Sequence, residues 1–82
     1  MKQLDFKGKK VLITGGAGFI GSNITEKIAQ LGGEPIVLDD LFTGAIENID
    51  LNVKYEFING SVNNKRLVFE LVQRMDYIIH LA

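Results

Sequence analysis

The sequence of 82 residues has no cysteine and no tryptophan, one proline (Pro35) and one histidine (His80). Without cysteine there is neither a disulfide framework nor a thiolate metal site, and one histidine cannot supply the His pair of a zinc or iron centre. No metal site is expected. No apolar run approaches the roughly 20 residues that span a bilayer. The basic N-terminal stretch leads only into Val11-Leu12-Ile13, too short for a secretory core. A soluble, cytoplasmic protein with no membrane partner is expected. Basic charge is not in excess either: nine Lys+Arg against ten Asp+Glu leave a formal charge of −1, so no global field draws nucleic acid. Lys2, Lys7, Lys9 and Lys10 precede the first apolar run and read as a solvated leader. Between Lys27 and Lys54 there is no basic residue, whereas Glu34, Asp39, Asp40, Glu47 and Asp50 fall in that window.

What is present is an alternation of two hydrophobic periods over a length suited to one small domain, residues 1–82. Lys10–Thr14 is a short β-branched run ended by glycines, the pattern of a strand buried on both faces. From Phe19 the period changes: Ile20, Ile24, Ile28 and Leu31 predict one stripe of a helix, stopped by Gly32-Gly33. Pro35 and Ile36-Val37-Leu38 predict a second buried strand ending at Asp39. A turn is expected around Thr43-Gly44, then a helical turn through Ala45–Ile49. A third strand is predicted over Val53–Ile58, with Val53, Tyr55 and Phe57 alternating against Lys54 and Glu56. Asn63 or Asn64 caps a second helix with apolar Leu67, Val68, Leu71, Val72 and Met75. Asp76–Leu81 is the fourth strand. Strand, helix, strand, turn, strand, helix, strand is an α/β pattern, and right-handed crossovers favour a parallel sheet in the order 3-2-1-4, half of a doubly wound, three-layer fold. Ligands of such sheets bind at the switch point, beyond the carboxyl ends of the first and fourth strands.

At that point stands Thr14-Gly15-Gly16-Ala17-Gly18-Phe19-Ile20-Gly21-Ser22, which holds Gly16-x-Gly18-x-x-Gly21. Alone, such a motif is also an ordinary glycine-rich strand-to-helix turn. Here it follows a strand, opens a helix, and is followed by an acidic residue at the end of the next strand, the context of a dinucleotide site. A pyrophosphate must approach backbone N–H groups at a helix start, where side chains would obstruct it. Gly15 and Gly16 make the turn, Gly18 admits the phosphates, and Gly21 lets helix and strand pack closely. No Lys-Ser/Thr follows, so this is not a nucleoside triphosphate loop. Asp39, 18 residues past Gly21 (39 minus 21), is placed to accept from the adenosine ribose hydroxyls. Its bland reading is a strand-ending Asp that begins a turn. A 2′-phosphate would meet Asp39 and Asp40 with no nearby basic residue in sequence, which selects NAD over NADP.

These residues resemble the signature of the extended short-chain dehydrogenase/reductases, the NAD-dependent epimerase/dehydratase family, and the resemblance covers essentially the whole chain. Val37-Leu38-Asp39-Asp40-Leu41-Phe42-Thr43-Gly44, with Glu47-Asn48-Ile49, is similar to the segment of UDP-glucose 4-epimerases and related sugar-nucleotide enzymes. Asp76–Ala82 resembles the family's fourth strand. The resemblance implies a Rossmann-like domain in which Gly15, Gly18 and Gly21 form the pyrophosphate turn and Phe19 and Ile20 supply N–H groups. It places Asp39 at the ribose and Leu81-Ala82 along the nicotinamide half. Asp40 stands where the family has Asn. Ser61-Val62 stands where the family has an Asp that holds the adenine amine, which implies weaker adenine binding rather than none.

The family's catalytic Tyr-x-x-x-Lys is not matched: four residues after Tyr55 is Asn59, and four after Tyr77 is Leu81. His80 reads as a structural histidine at a strand end. No catalytic residue is therefore assigned. The expected protein is the cofactor-binding part of a sugar-nucleotide epimerase or dehydratase, inactive as these 82 residues, whose nucleotide-sugar substrate belongs to a full-length protein. A non-catalytic, redox-sensing dinucleotide module and a fragment without ligand are the other readings. The fourth strand's open edge predicts self-association through residues 76–82, with Tyr77, Ile79 or their neighbours exposed.

Overall fold

The computed structural model describes residues 5–41, 45–50 and 52–81. Strand β1 (Lys10–Thr14) leads into helix α1 (Phe19–Gln30), then β2 (Glu34–Asp39), a 3₁₀ turn (Ile46–Asn48), β3 (Glu56–Asn59), helix α2 (Lys65–Val72) and β4 (Tyr77–His80). The four strands form one sheet in the order β3-β2-β1-β4 with every pairing parallel. This is the expected half of a doubly wound sheet, and β1 and β4 flank its switch point. The predicted turn at Thr43-Gly44 lies outside the described residues.

Strand residues alternate between two cores. On one face Leu12, Ile36, Leu38 and Leu71 are buried, covered by Val62, Leu67, Val68, Val72 and Met75 of the α2 segment. On the other Val11, Ile13 and Ile28 are buried, with Phe6, Ile24, Tyr77 and Ile79 packed against them. The apolar positions read from the sequence for α2 thus face the sheet, and the Asn64 side chain caps this helix, accepting from Leu67 N at 3.2 Å.

Two expectations need correction. The α1 stripe is turned: Gly21, Ser22, Thr25 and Ile28 are its buried residues, while Ile20 and Leu31 are 65% and 47% exposed. The cause is Gly21, which must lie against the β1 turn and so brings small residues inward. The buried hydroxyl of Thr25 is satisfied within the helix, donating to Gly21 O at 2.8 Å. Strand β3 is shorter and later than predicted, since Val53 and Tyr55 precede the ladder, which begins where Glu56 pairs with Ile36. The basic leader is solvated as expected at Lys7, Lys9 and Lys10, while Phe6 within it is partly buried. Phe6 meets Tyr77 edge to face at 5.3 Å, and Gly8 N donates to Gly32 O at 2.9 Å.

Helix α1 ends as Gly32-Gly33 predicted. Gly33 N donates to Ile28 O at 2.9 Å and Gly32 N to Ala29 O at 3.0 Å, which satisfies carbonyls the helix leaves over. Strand β4 is tied to β1 at both ends: Lys10 N donates to Asp76 Oδ2 and Asp76 N to Lys10 O, each at 2.8 Å, while Leu81 N donates to Thr14 O at 3.0 Å.

Candidate functional site

The glycine turn sits where the pattern placed it, beyond the end of β1. Gly15 has φ +74°, a left-handed conformation that a side chain makes costly. Its N–H donates to Leu38 O at 2.9 Å, so the chain leaves β1 still tied to β2. Gly21 answers a different need: a Cβ there would lie 2.1 Å from Gly15 O and 2.8 Å from Gly16 Cα. Only glycine allows α1 to start this close to the turn. At Gly18 the protein's own packing makes no such demand, since a Cβ would meet nothing nearer than Gly15 O at 3.4 Å. The space that glycine leaves there opens to the cleft.

Helix α1 begins without a side-chain cap. Its N-cap is Gly18, its first turn has no acidic residue, and the ladder starts with Ser22 N donating to Gly18 O at 2.8 Å. The N–H groups of Phe19 and Ile20 therefore present the positive end of the helix to the cleft, as an anionic ligand requires. Both side chains are exposed, at 82% and 65%. Gly15, Gly18, Phe19, Ile20, Gly21, Asp39, Asp40 and Leu81 line one cleft of about 330 Å³. A small hollow of about 40 Å³, shared with Gly15, Asp39 and Asp40, continues it to Gly60 and Val62. A larger concavity of about 660 Å³, bordered by Lys10, Glu34, Lys54 and Glu56, lies at the amino ends of the strands, away from the switch point. The cleft at the glycine turn is the better site because the uncapped helix end and a carboxylate converge there.

That carboxylate is Asp39, only 8% exposed at the end of β2. Its Oδ2 accepts from Ala17 N at 2.9 Å and its Oδ1 from Leu41 N at 2.7 Å. Asp39 thus begins a turn, as its bland reading has it, holding Leu41 at φ +62°, and each oxygen keeps one lone pair for a further donor. Asp40 is exposed at the rim. Ser61 lines neither hollow, and its Oγ accepts from Asn63 N at 3.0 Å ahead of α2. Leu81 reaches the cleft from β4, and Ala82 lies outside the described residues.

His80 is engaged structurally: its Nδ1 is 2.6 Å from Thr14 Oγ1, which also accepts from Leu81 N at 3.1 Å. This bond joins the ends of β4 and β1 at the switch point. Sequence reasoning overlooked Ala17 and Asn48. Asn48 Nδ2 donates to Ala17 O at 2.8 Å from 31 positions away, and no spacing rule links the two.

With this geometry in view, comparison with known proteins is specific. Residues 11–82 match the model of the "NAD dependent epimerase/dehydratase family". The chain is 42% identical over 74 residues to UDP-glucuronic acid decarboxylase 1 of Danio rerio, covering 90% of this chain and 17% of that protein. It is 41% identical over 73 residues to a putative UDP-glucose 4-epimerase of Methanocaldococcus jannaschii, covering 88% of this chain and 23% of that one. Among solved structures, epimerase Mth375 of Methanothermobacter thermautotrophicus aligns with a TM-score of 0.85 at 38% identity, over 94% of this chain and 23% of the other. The Bordetella bronchiseptica enzyme WbmF in complex with NAD+ aligns with a TM-score of 0.84 at 30% identity, over 96% of this chain and 24% of the other. The chain thus spans about a sixth to a quarter of the length of these relatives.

Proposed function

The chain belongs to the NAD-dependent epimerase/dehydratase family, and we propose that it is the NAD-binding amino-terminal portion of a cytoplasmic sugar-nucleotide epimerase or dehydratase. The observation that carries this reading is the convergence, in one cleft, of the glycine turn, the uncapped start of α1 and the Asp39 carboxylate. Gly15, Gly18 and Gly21 shape the turn, Phe19 and Ile20 donate to the pyrophosphate, and Asp39 accepts from the adenosine ribose. Val62, with Asp40 at the rim, borders the adenine side, Ser61 adds a hydroxyl beyond it, and Leu81-Ala82 lead to the nicotinamide side. NAD is selected because no basic residue lies between Lys27 and Lys54 to meet a 2′-phosphate beside Asp39 and Asp40.

Bound NAD would supply a reversible acceptor for the hydride on the carbon that bears a sugar hydroxyl. These residues bind and orient it, and contribute no Tyr-x-x-x-Lys pair to move the proton. The substrate class of the full-length protein is a nucleotide sugar, as the names of the relatives suggest. A second copy of the chain is the other partner, through residues 76–82.

Calorimetric titration of the chain with NAD+ and NADP+ tests the reading. NAD+ is expected to bind at least about tenfold tighter, a difference of about 1.4 kcal/mol. Absence of NAD+ binding at millimolar ligand, or a preference for NADP+, overturns it.

A further inference from the structure

The glycine turn is gripped from outside by a segment that follows β2. Ala45 N donates to Ala17 O at 3.1 Å, and Asn48 Nδ2 donates to the same oxygen at 2.8 Å. Behind them Ile49 is buried, 2% exposed, and Asp50 N approaches Glu26 Oε2 of α1 at 3.4 Å. Residues 45–50 are therefore anchored on the body of the domain, with the Asn48 amide directed at the turn.

Ala17 is held at both of its peptide groups. Its N–H donates to Asp39 Oδ2 at 2.9 Å, and its carbonyl accepts from Asn48 and Ala45. That carbonyl belongs to the peptide whose N–H is that of Gly18, which donates to Gly15 O at 3.1 Å. Rotation of this peptide would change the extended N-cap geometry of Gly18 (φ −72°, ψ 174°). It would redirect the Phe19 and Ile20 donors that follow. Asn48 itself does not line the cleft.

We infer that Asn48 is a positioning residue of the dinucleotide site, acting through the Ala17 carbonyl to hold the peptide that aims Gly18 and the first-turn donors of α1. The functional half of this statement rests on the NAD reading above; the hydrogen-bonding half does not. A carboxylate has the shape of the amide but cannot donate and repels a carbonyl oxygen, so Asn48→Asp removes the side-chain half of the grip, leaving the Ala45 N–H, without changing side-chain volume. Asn48→Ala removes the donor without adding charge and is the second variant should the first not fold.

Amide exchange by NMR and NAD+ titration on the full chain decide the matter together. In either variant NAD+ affinity is expected to fall about fivefold to tenfold, the size of one lost hydrogen bond. Exchange at Ala17 and Gly18 should accelerate by a similar factor, while the β1 and β2 amides of Leu12 and Val37 keep their protection. Exchange that accelerates evenly across the sheet overturns positioning in favour of general destabilisation. Unchanged exchange at Ala17 and Gly18, or unchanged affinity in a variant whose wild type binds, overturns it also. A wild type that does not bind NAD+ refutes the function reading, and with it the functional half of this inference; the exchange arm still decides the grip.

Discussion

Asp39 holds the turn with its carboxylate, and under the proposed function it also meets the ligand, so a substitution there tests both. Each oxygen accepts one backbone N–H, from Ala17 and from Leu41, which keeps the glycine turn against the end of β2. Asp39→Asn leaves one acceptor oxygen and sets an NH2 group against the other N–H. We expect a loss of about 1–3 kcal/mol in stability by thermal denaturation. At a temperature where the variant is folded, NAD+ affinity should drop about ten- to a hundredfold by calorimetry, since hydrogen bonds to a charged acceptor are worth about 1.5–3 kcal/mol. The glycines divide in the same way. Gly21→Ala places a Cβ 2.1 Å from a backbone oxygen and should leave the chain unfolded by circular dichroism. Gly18→Ala meets only an ordinary contact at 3.4 Å, so it should fold with a cost below about 1 kcal/mol and fail to bind NAD+. A Gly18→Ala variant that binds like the wild type would show that the space at this residue is not used by ligand. Such side chains were legible in the sequence because the motif states where glycine and carboxylate are needed. Asn48 was not, since its partner is a backbone oxygen brought near only by the folded chain.

Among the secondary-structure elements, those with one decisive signal were legible and those with competing signals were not. Strands β1 and β2 are buried on both faces, so continuous apolar runs marked them without ambiguity. Helix α2 has its apolar positions on one side and an Asn at its start, and both signals agree. In α1 they conflict: the isoleucines suggest one face, but close packing at Gly21 chooses another. Tertiary contact decides, leaving Ile20 exposed and Thr25 fully buried. Strand β3 sits at the sheet edge, where the ladder and not the alternation sets the first paired residue. The cap of α2 provides the test at this scale. Replacing Asn64 by Ala removes the acceptor for Leu67 N and should cost about 1 kcal/mol. For a domain this small that lowers the Tm by about 4–8 °C. Because Asn64 lines neither hollow of the cleft, NAD+ affinity of the folded variant should not change.

Across the whole molecule, the two faces of the sheet are covered unequally. Tyr77 and Ile79 pack on the α1 side, but Ile78, aligned with buried Leu12, is 52% exposed, and Leu81 is 42% exposed. Among the described residues β4 pairs only with β1. An open parallel edge beside apolar side chains favours association, so light scattering should show the chain self-associating as concentration rises, and Ile78→Lys should reduce it. A monodisperse wild type at high concentration would refute this. The same molecule should show no epimerase or dehydratase turnover with nucleotide sugars and NAD+, by product chromatography. The pairing of β4 with β1 also governs how the fold is reached. Lys10 waits for a partner 66 positions away, and at about 5–20 residues per second of synthesis that separation corresponds to roughly 3–13 s. Once β2 has followed, Val11-Leu12-Ile13 has that strand on one side and an empty edge on the other until β4 is made. Lys9 and Lys10 stand directly before this apolar run, where charge discourages pairing between nascent chains. The lysines thus stand at the head of the earliest of the described strands, whose second neighbour is the latest of them.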